Sequence, residues 1–410
     1  MTARTGRARV VVVGAGVVGA ALAYESARQG LDVTVLERGA RAAQGGTRWS
    51  MGGVSWLSAA SDPRVRDLSR LGLDRHRALS EELGTDSGFR PRSMVILAHE
   101  QSVLDGLAGL LAAARDHGFD GRIVSSDELR AIEPGLARNL GAEVAIGAAV
   151  CEQGRVDAVR LTEAWLGAAE ALGATIRYGV DVREIASAGA DGVTAIADDG
   201  RVHADRVVVA GGAWTRRLLR ASALDTALLH THAEILETDP LPPTVANVVG
   251  AASQARVKLE CDLAAPGLAA RWGAESPAEI LPPIVELGVT QFDDGRVRIG
   301  QISRGVSGFL SAPLPSGEAA LREMVRPYFP ALATAPARHH GCPVSISKDR
   351  LPIAGPLPDA DGVWVVAGLA SPLIYLPTLA QRVAASLGGD AAPELAPFSP
   401  ARFVGGGARG

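Results

Sequence analysis

Lysine is almost missing from this chain: Lys258 and Lys348 are the exceptions among 41 basic residues, and the rest are arginines. Together with abundant alanine, glycine and valine, that skew reflects a GC-rich bacterial genome rather than a physical task. Cysteine is scarce too. Cys151, Cys261 and Cys342 are odd in number and far apart, which excludes a disulfide framework or zinc-ligand spacing and fits a reducing, cytoplasmic location. His339 and His340 have no carboxylate or cysteine at ligand spacing, so no metal site is expected. No apolar run of about 18 residues passes without glycine or charge, which excludes a membrane-spanning helix. Excess basic charge is also absent: the formal net charge is −4, which offers no field for nucleic acid or an anionic membrane. What remains is 410 residues, 47% apolar and 21% charged, the composition of a globular protein with two domains or two interleaved lobes.

The chemistry starts at the N-terminal end. Arg9-Val-Val-Val-Val-Gly14-Ala-Gly16-Val-Val-Gly19-Ala reads as a buried parallel strand, a tight turn and a helix over 20–29. A second strand, 31–37, ends on Glu37 and Arg38. Gly14 permits the sharp turn, Gly16 lets a pyrophosphate approach the backbone, and Gly19 lets helix and strand pack closely. The helix N-terminus supplies unsatisfied N–H groups to the anion, and Glu37, eighteen residues past Gly19, is placed for ribose hydroxyls. A signal peptide, with Arg4, Arg7 and Arg9 before an apolar core, is the competing reading. Glycines at dinucleotide spacing and a second strand on schedule weigh against it.

Further along, 39–61 is rich in Gly and Ser and reads as irregular, and 62–83 has helical periodicity. Residues 93–98 read as a strand and 102–117 as a helix. Ser125 and Glu128 form a capping box that opens a short helix ending near Pro134, and Asp157 caps a helix through Leu172. Strands are expected at 175–182, 193–197 and 202–210, the last running into Gly211 and Gly212. From about 221 to 337 prolines cluster, and strands 283–292 and 296–303 flank the hairpin signal Asp293-Asp-Gly295. Residues 363–368 return to buried-strand character, with a helix over 379–387.

Taken in order, five motifs resemble the FAD-dependent D-amino-acid oxidase superfamily, which includes glycine oxidase and monomeric sarcosine oxidases. They are the opening βαβ, Glu128-Leu-Arg-Ala-Ile-Glu-Pro134, Gly154-Arg-Val-Asp157, Val207-Val-Val-Ala-Gly-Gly-Ala-Trp214, and Lys348-Asp-Arg-Leu-Pro-Ile-Ala-Gly355. The resemblance covers roughly residues 8–390 and is weakest over 235–280. It implies an α/β fold: an interleaved Rossmann-like FAD-binding domain (1–84, 149–222, 338–398), an antiparallel-sheet α+β substrate domain (85–148, 223–337) and a flexible tail, 399–410. It also implies FAD and hydride transfer from an amine-bearing carbon of a small amine or amino-acid-derived substrate. Oxygen or another acceptor would then take the electrons. Much of that chemistry belongs to the cofactor.

The resemblance assigns Gly14, Gly16, Gly19, Glu37, Arg38, Thr47, Val182, Gly211, Trp214 and Gly368 to the cofactor. Cys342, seven residues before Asp349, is similar in position to the cysteine that bonds flavin in monomeric sarcosine oxidases. Such a bond needs a thiolate, which His339, His340 or Lys348 would favour; otherwise Cys342 is a small buried residue. Arg48 resembles an arginine over the flavin, while a competing register matches Gly52 and Gly53 instead. Arg298 falls at the position of a lysine that promotes oxygen reactivity, or is a solvent-facing strand residue. Tyr375 faces substrate or packs under the last helix. Met51 and Val344 stand where relatives carry carboxylate-binding arginines; either the substrate lacks a free carboxylate, or another group such as Arg304 or Arg350 binds it, each of these being otherwise a surface arginine. The competing functions are a repurposed flavoprotein or oligomer subunit, an FAD monooxygenase, and an NAD-binding dehydrogenase.

Overall fold

The computed structural model describes residues 7–59, 63–137, 145–187, 189 and 192–404. Four consecutive valines bury both faces of the strand Arg9–Val13, which places it inside a sheet. It runs parallel to Asp32–Glu37 on one side and Arg206–Val209 on the other. Val363–Ala367 continues the sheet beyond Arg206–Val209, Ile353–Pro356 closes that edge antiparallel, and Thr175–Tyr178 closes the opposite edge. Strands from the beginning, middle and end of the chain thus share one six-stranded sheet.

Its two faces are covered differently. Val10 and Val12 join the cluster under the helix Val17–Arg28, which packs against Ala158–Ala171 and Leu376–Gly388. Val11, Val13, Val207 and Val209 pack against an antiparallel meander of Val182–Ser187, Val193–Ala197 and Gly200–Ala204. Each buried valine contributes roughly 1.5–3 kcal/mol of transfer free energy. The first helix presses onto the turn before it, because a Cβ on Gly19 would sit 1.8 Å from Gly14 O.

The second sheet has eight strands in the order Ala337–Ser347, Leu228–Thr238, Val297–Val306, Glu279–Gln291, Val248–Ala251, Ser93–Ala98, Gly147–Glu152 and Arg122–Ser125. Its pairs are antiparallel except Val248–Ala251 with Ser93–Ala98. The hairpin at Asp293-Asp-Gly295 forms, with Gly295 in the left-handed region (φ +86). Ser125 makes the capping box with Glu128, and the Asp157 carboxylate accepts from the amides of Val159 and Arg160.

Several sequence expectations change. The run 175–182 is two strands in different sheets, because Gly179 (φ +74) turns the chain between them. The run 202–210 also divides. Asp205 accepts the Arg9 amide on its carboxylate at 2.7 Å, and its own amide donates to Arg9 O at 3.0 Å, which makes it a corner between meander and parallel sheet. Within 39–61, Gly53–Val54 pairs with Gly154–Val156, and Trp56–Ala59 is a short helix. The sheets also part elsewhere than at 148/149 and 337/338, since Gly147–Glu152 and Ala337–Ser347 both pair in the eight-stranded sheet. Near the C-terminal end, Pro400–Phe403 forms a 3-10 turn tied down by Arg402 to Asp349 at 2.8 Å. Residues 405–410 of the expected tail lie outside the described residues. Among the described residues no helix is long and apolar enough to cross a membrane.

Candidate functional site

A cavity of about 1160 Å³ runs from the turn after the first strand to the face of the eight-stranded sheet. Its first end is built of backbone. Gly14, at φ +107, turns so tightly that a Cβ would lie 2.8 Å from Ala210 O. Gly16 precedes the first helix, so the first-turn amides and positive dipole end lie at the cavity wall. Thr47 Oγ1 accepts the Val17 amide at 3.1 Å and ties the following loop to the helix. Glu37 takes the amides of Ala15 and Gly39 on its two oxygens, both at 2.7 Å, and each oxygen has capacity to accept again. Arg38 lies 3.9 Å over the Trp214 ring, which stacks on Phe309 at 3.9 Å. Val182 and Gly211 complete this end.

The second end lies between loop 45–53 and the larger sheet. Trp49 stacks on His340 at 3.8 Å, and Met51, Gly52 and Gly53 follow it along the wall. Gly52 has φ +73, and a Cβ there would meet Val156 O at 2.4 Å. Across from it, Ala233 and Cys342 are register partners, as are Gly288 and Gly300. Small or absent side chains thin the sheet floor, with Ile235 packed over Gly300 and Met51 close to Gly288. Gly368 (φ +67) comes within 2.9 Å of Ser347 N at its Cβ position, so only glycine fits that crossing.

Charge gathers on one wall, where Ser253, Arg256, Glu286, Gln301 and Arg350 line the cavity. Arg350 Nε donates to Glu260 at 2.7 Å, and Glu286 accepts the Ser253 hydroxyl at 2.7 Å and the Arg256 amide at 3.0 Å. Among the described residues no group of three or more His, Cys, Asp or Glu is placed to hold a metal.

The expected FAD can be tested against this geometry. A Cβ at Gly14 or Gly19 would collide with backbone, and the close approach they allow suits a pyrophosphate at a helix N-terminus. The volume exceeds the roughly 300–1,000 Å³ of most single-ligand sites, leaving space for a dinucleotide and a second molecule. The residues fit the group.

Of the residues expected from sequence, Gly14, Gly16, Glu37, Arg38, Thr47, Gly52, Gly53, Val182, Gly211, Trp214, Cys342 and Gly368 line the cavity. Four lie elsewhere. Gly19 stands behind the turn it allows. Arg48 is half-buried with its guanidinium 5.1 Å from the Trp49 ring centre, so the glycine pair, not Arg48, reaches the wall. Arg298 is neither a wall residue nor a solvent-facing one: it is 3% exposed, donates to Glu237 at 2.8 Å and to the Ser50 carbonyl, and so braces loop 45–53. Burial opposes the Glu237 charge, but the bonds and charges of Arg298 and Arg296 outweigh it and hold that carboxyl below its ordinary range. Tyr375 is fully buried and donates to Ala370 O at 2.9 Å, supporting loop 368–372 from behind.

Cys342 and the two candidate carboxylate-binding arginines are placed by their neighbours. Burial pushes the Cys342 thiol up to about 12, with Arg298 offsetting only part of it. His340 is engaged with Trp49 and His339 lies 3.2 Å from Glu234, so both histidines have other partners, and burial disfavours a thiolate at Cys342. Arg304 pairs with Glu234 at 2.7 Å and with Glu279, away from the cavity, whereas Arg350 is on its wall. Sequence reasoning missed Arg256, Glu286 and Gln301. The signal available was Glu286, a charge set in the apolar run Pro282-Pro-Ile-Val-Glu-Leu-Gly288; Arg256 had none, being one arginine among dozens.

Comparison with known proteins agrees with this geometry. Residues 9–386 match a family described as FAD dependent oxidoreductase. Glycine oxidase of Pseudomonas aeruginosa is 27% identical over 406 residues, covering 96% of this chain and 98% of that protein. The 4-methylaminobutanoate oxidase (formaldehyde-forming) of Paenarthrobacter nicotinovorans is 29% identical over 238 residues; the match covers 57% of this chain and only 28% of that longer protein. In fold, the chain superposes on glycine oxidase from Geobacillus kaustophilus with a TM-score of 0.79 at 24% identity, covering 97% of this chain and 100% of that one. Iminodiacetate oxidase from Chelativorans sp. BNC1 gives 0.76 at 23% identity, with 96% and 99% covered.

Proposed function

Because this chain belongs to the FAD-dependent oxidoreductase family, we propose that it oxidises the C–N bond of an amine, N-alkyl amino acid or cyclic imino acid to an imine. Bound FAD would supply the hydride acceptor for the carbon that bears nitrogen; the proton of the nitrogen would pass to solvent, and water would hydrolyse the resulting imine. The chain's own residues bind and orient. Gly14, Gly16 and Glu37 would hold the dinucleotide end, and Gly52, Gly53 and Gly368 line the part of the cavity where the flavin ring would lie. Ala233 and Gly288, with the side chains of Ile235 and Met51 beside them, form the wall that the substrate would meet.

One observation carries this reading: a single cavity joins the dinucleotide cradle to a wall bearing Arg256, Glu286 and Arg350. Glycine oxidase, 4-methylaminobutanoate oxidase and iminodiacetate oxidase, to which the chain is similar, are named for amine-bearing acids. That supports the reaction class. The test is anaerobic mixing of the yellow holoprotein with secondary amines, N-alkyl glycines, cyclic imino acids and D-amino acids. Bleaching near 450 nm with at least one class is expected. Bound FAD that none of them reduces would overturn the proposal and favour a repurposed flavoprotein. Because burial disfavours a thiolate at Cys342, acid precipitation should release the colour into the supernatant as free FAD; colour retained in the pellet would show a covalent bond instead.

A further inference from the structure

The positions where the family resemblance led to carboxylate-binding arginines hold Met51 and Val344, yet the cavity has two guanidinium groups on a different wall. Arg256 sits at the start of the helix Ala255–Leu263, and Arg350 in the turn after the strand Ala337–Ser347. Residues 94 positions apart meet because Glu260, 2% exposed, stands behind both. Its carboxylate is 2.7 Å from Arg350 Nε and 3.5 Å from an Arg256 Nη.

We propose that Arg256 and Arg350 are the specificity-determining pair that binds an acidic group of the substrate, with Glu260 as the buried brace that positions them. This rests on the C–N oxidation reading for what the acid is attached to, but the anion site stands on its own geometry. Arg350 spends one of five N–H donors, its Nε, on Glu260. Among the described residues the Arg256 guanidinium makes only ion-pair contacts, to Glu260 at 3.5 Å and Glu286 at 3.9 Å, at or beyond hydrogen-bond length. The pair therefore keeps planar forks of donors for a carboxylate. The two carboxylates nearby are already engaged. Glu260 faces the arginines, and Glu286 accepts Ser253 Oγ and the Arg256 amide, which fixes the first turn of the helix. Arg350 also holds a left-handed backbone, φ +62. A non-glycine residue keeps that conformation only where its surroundings impose it. Here its amide donates to Ser347 O at 3.1 Å, and Asp349 accepts from the Leu351 amide at 3.1 Å. The turn spends conformational energy to keep an arginine at the cavity.

The experiment titrates the FAD-loaded protein with phenylacetate and trimethylglycine, each against its carboxamide, following the flavin spectrum. Neither acid has an N–H bond to oxidise to an imine, so binding is read without turnover. The wild type should bind at least one carboxylate roughly ten- to a hundredfold more tightly than its amide. Arg256→Gln and Arg350→Gly should each erase that preference while leaving the amide's Kd and the FAD content unchanged. Glycine suits the left-handed turn at 350; because it also removes the Glu260 partner, an unchanged Tm of the FAD-loaded variant is the control that its fold is kept. Arg350→Lys keeps the charge without the fork and should retain part of the preference. A wild type indifferent to acid and amide, or a preference that survives both neutral variants, overturns the proposal. Acid preference without amine bleaching would instead sink the C–N oxidation reading and leave this one standing.

Discussion

Glu37 illustrates how one side chain can hold both fold and ligand. Its two oxygens already take the amides of Ala15 and Gly39 at 2.7 Å, so it organises the turn before any ribose arrives. Replacing it with alanine leaves two N–H groups without that acceptor, at about 1–3 kcal/mol each where water cannot reach. Glu37→Ala should therefore lose FAD on gel filtration and also show a lower Tm in the FAD-free state. A Tm loss only in the loaded state would mean that Glu37 acts on ligand alone. Glycine spacing and the strand-ending acid made this corner legible in sequence. Arg298 and Tyr375 were not legible in the same way, because their roles depend on partners at Glu237 and Ala370 whose proximity is made by the fold.

At the scale of elements, the strand Leu228–Thr238 separates two environments by alternation. Ala233 and Ile235 face the cavity, whereas Glu234, fully buried, bonds Arg304 at 2.7 Å and lies 3.2 Å from His339. Burial opposes ionisation of Glu234, but His339, Arg304 and the Leu314 amide outweigh it and hold the carboxyl at about 2 instead of 4.5. A depressed carboxyl contributes stability above its unfolded pKa and loses it as pH falls through the folded value. The denaturant midpoint of the wild type should thus drop as pH goes from about 4.5 toward 2. In Glu234→Gln it should start lower at neutral pH and fall less over that window. Equal acid slopes in the two proteins would contradict the assignment. Period-two patterning predicts which strand positions share a face; it does not say which face becomes the site.

At the scale of the molecule, the six-stranded sheet cannot be completed until the end of the chain is present. Val363–Ala367 pairs with Arg206–Val209, and Leu376–Gly388 packs against the first helix. A chain stopped at residue 350 keeps the whole dinucleotide motif but exposes the valine face and the alanine-rich helix. It should be recovered as aggregate, or as soluble protein that binds no FAD. Stoichiometric FAD on that fragment would show that the first βαβ unit folds by itself.

Local sequence by itself determined the strand, turn and helix at 9–38, the caps at Ser125 and Asp157, and the hairpin at Asp293-Asp-Gly295. Each depends on φ angles, hydrogen-bond donors and apolar period within a few neighbours. The tertiary structure alone decided that Asp205 is a corner, that Ala337–Ser347 joins the larger sheet, and that Arg256 meets Arg350 across Glu260. Those outcomes depend on contacts between segments tens to hundreds of residues apart, where the energy lies in burial and pairing that no local pattern encodes.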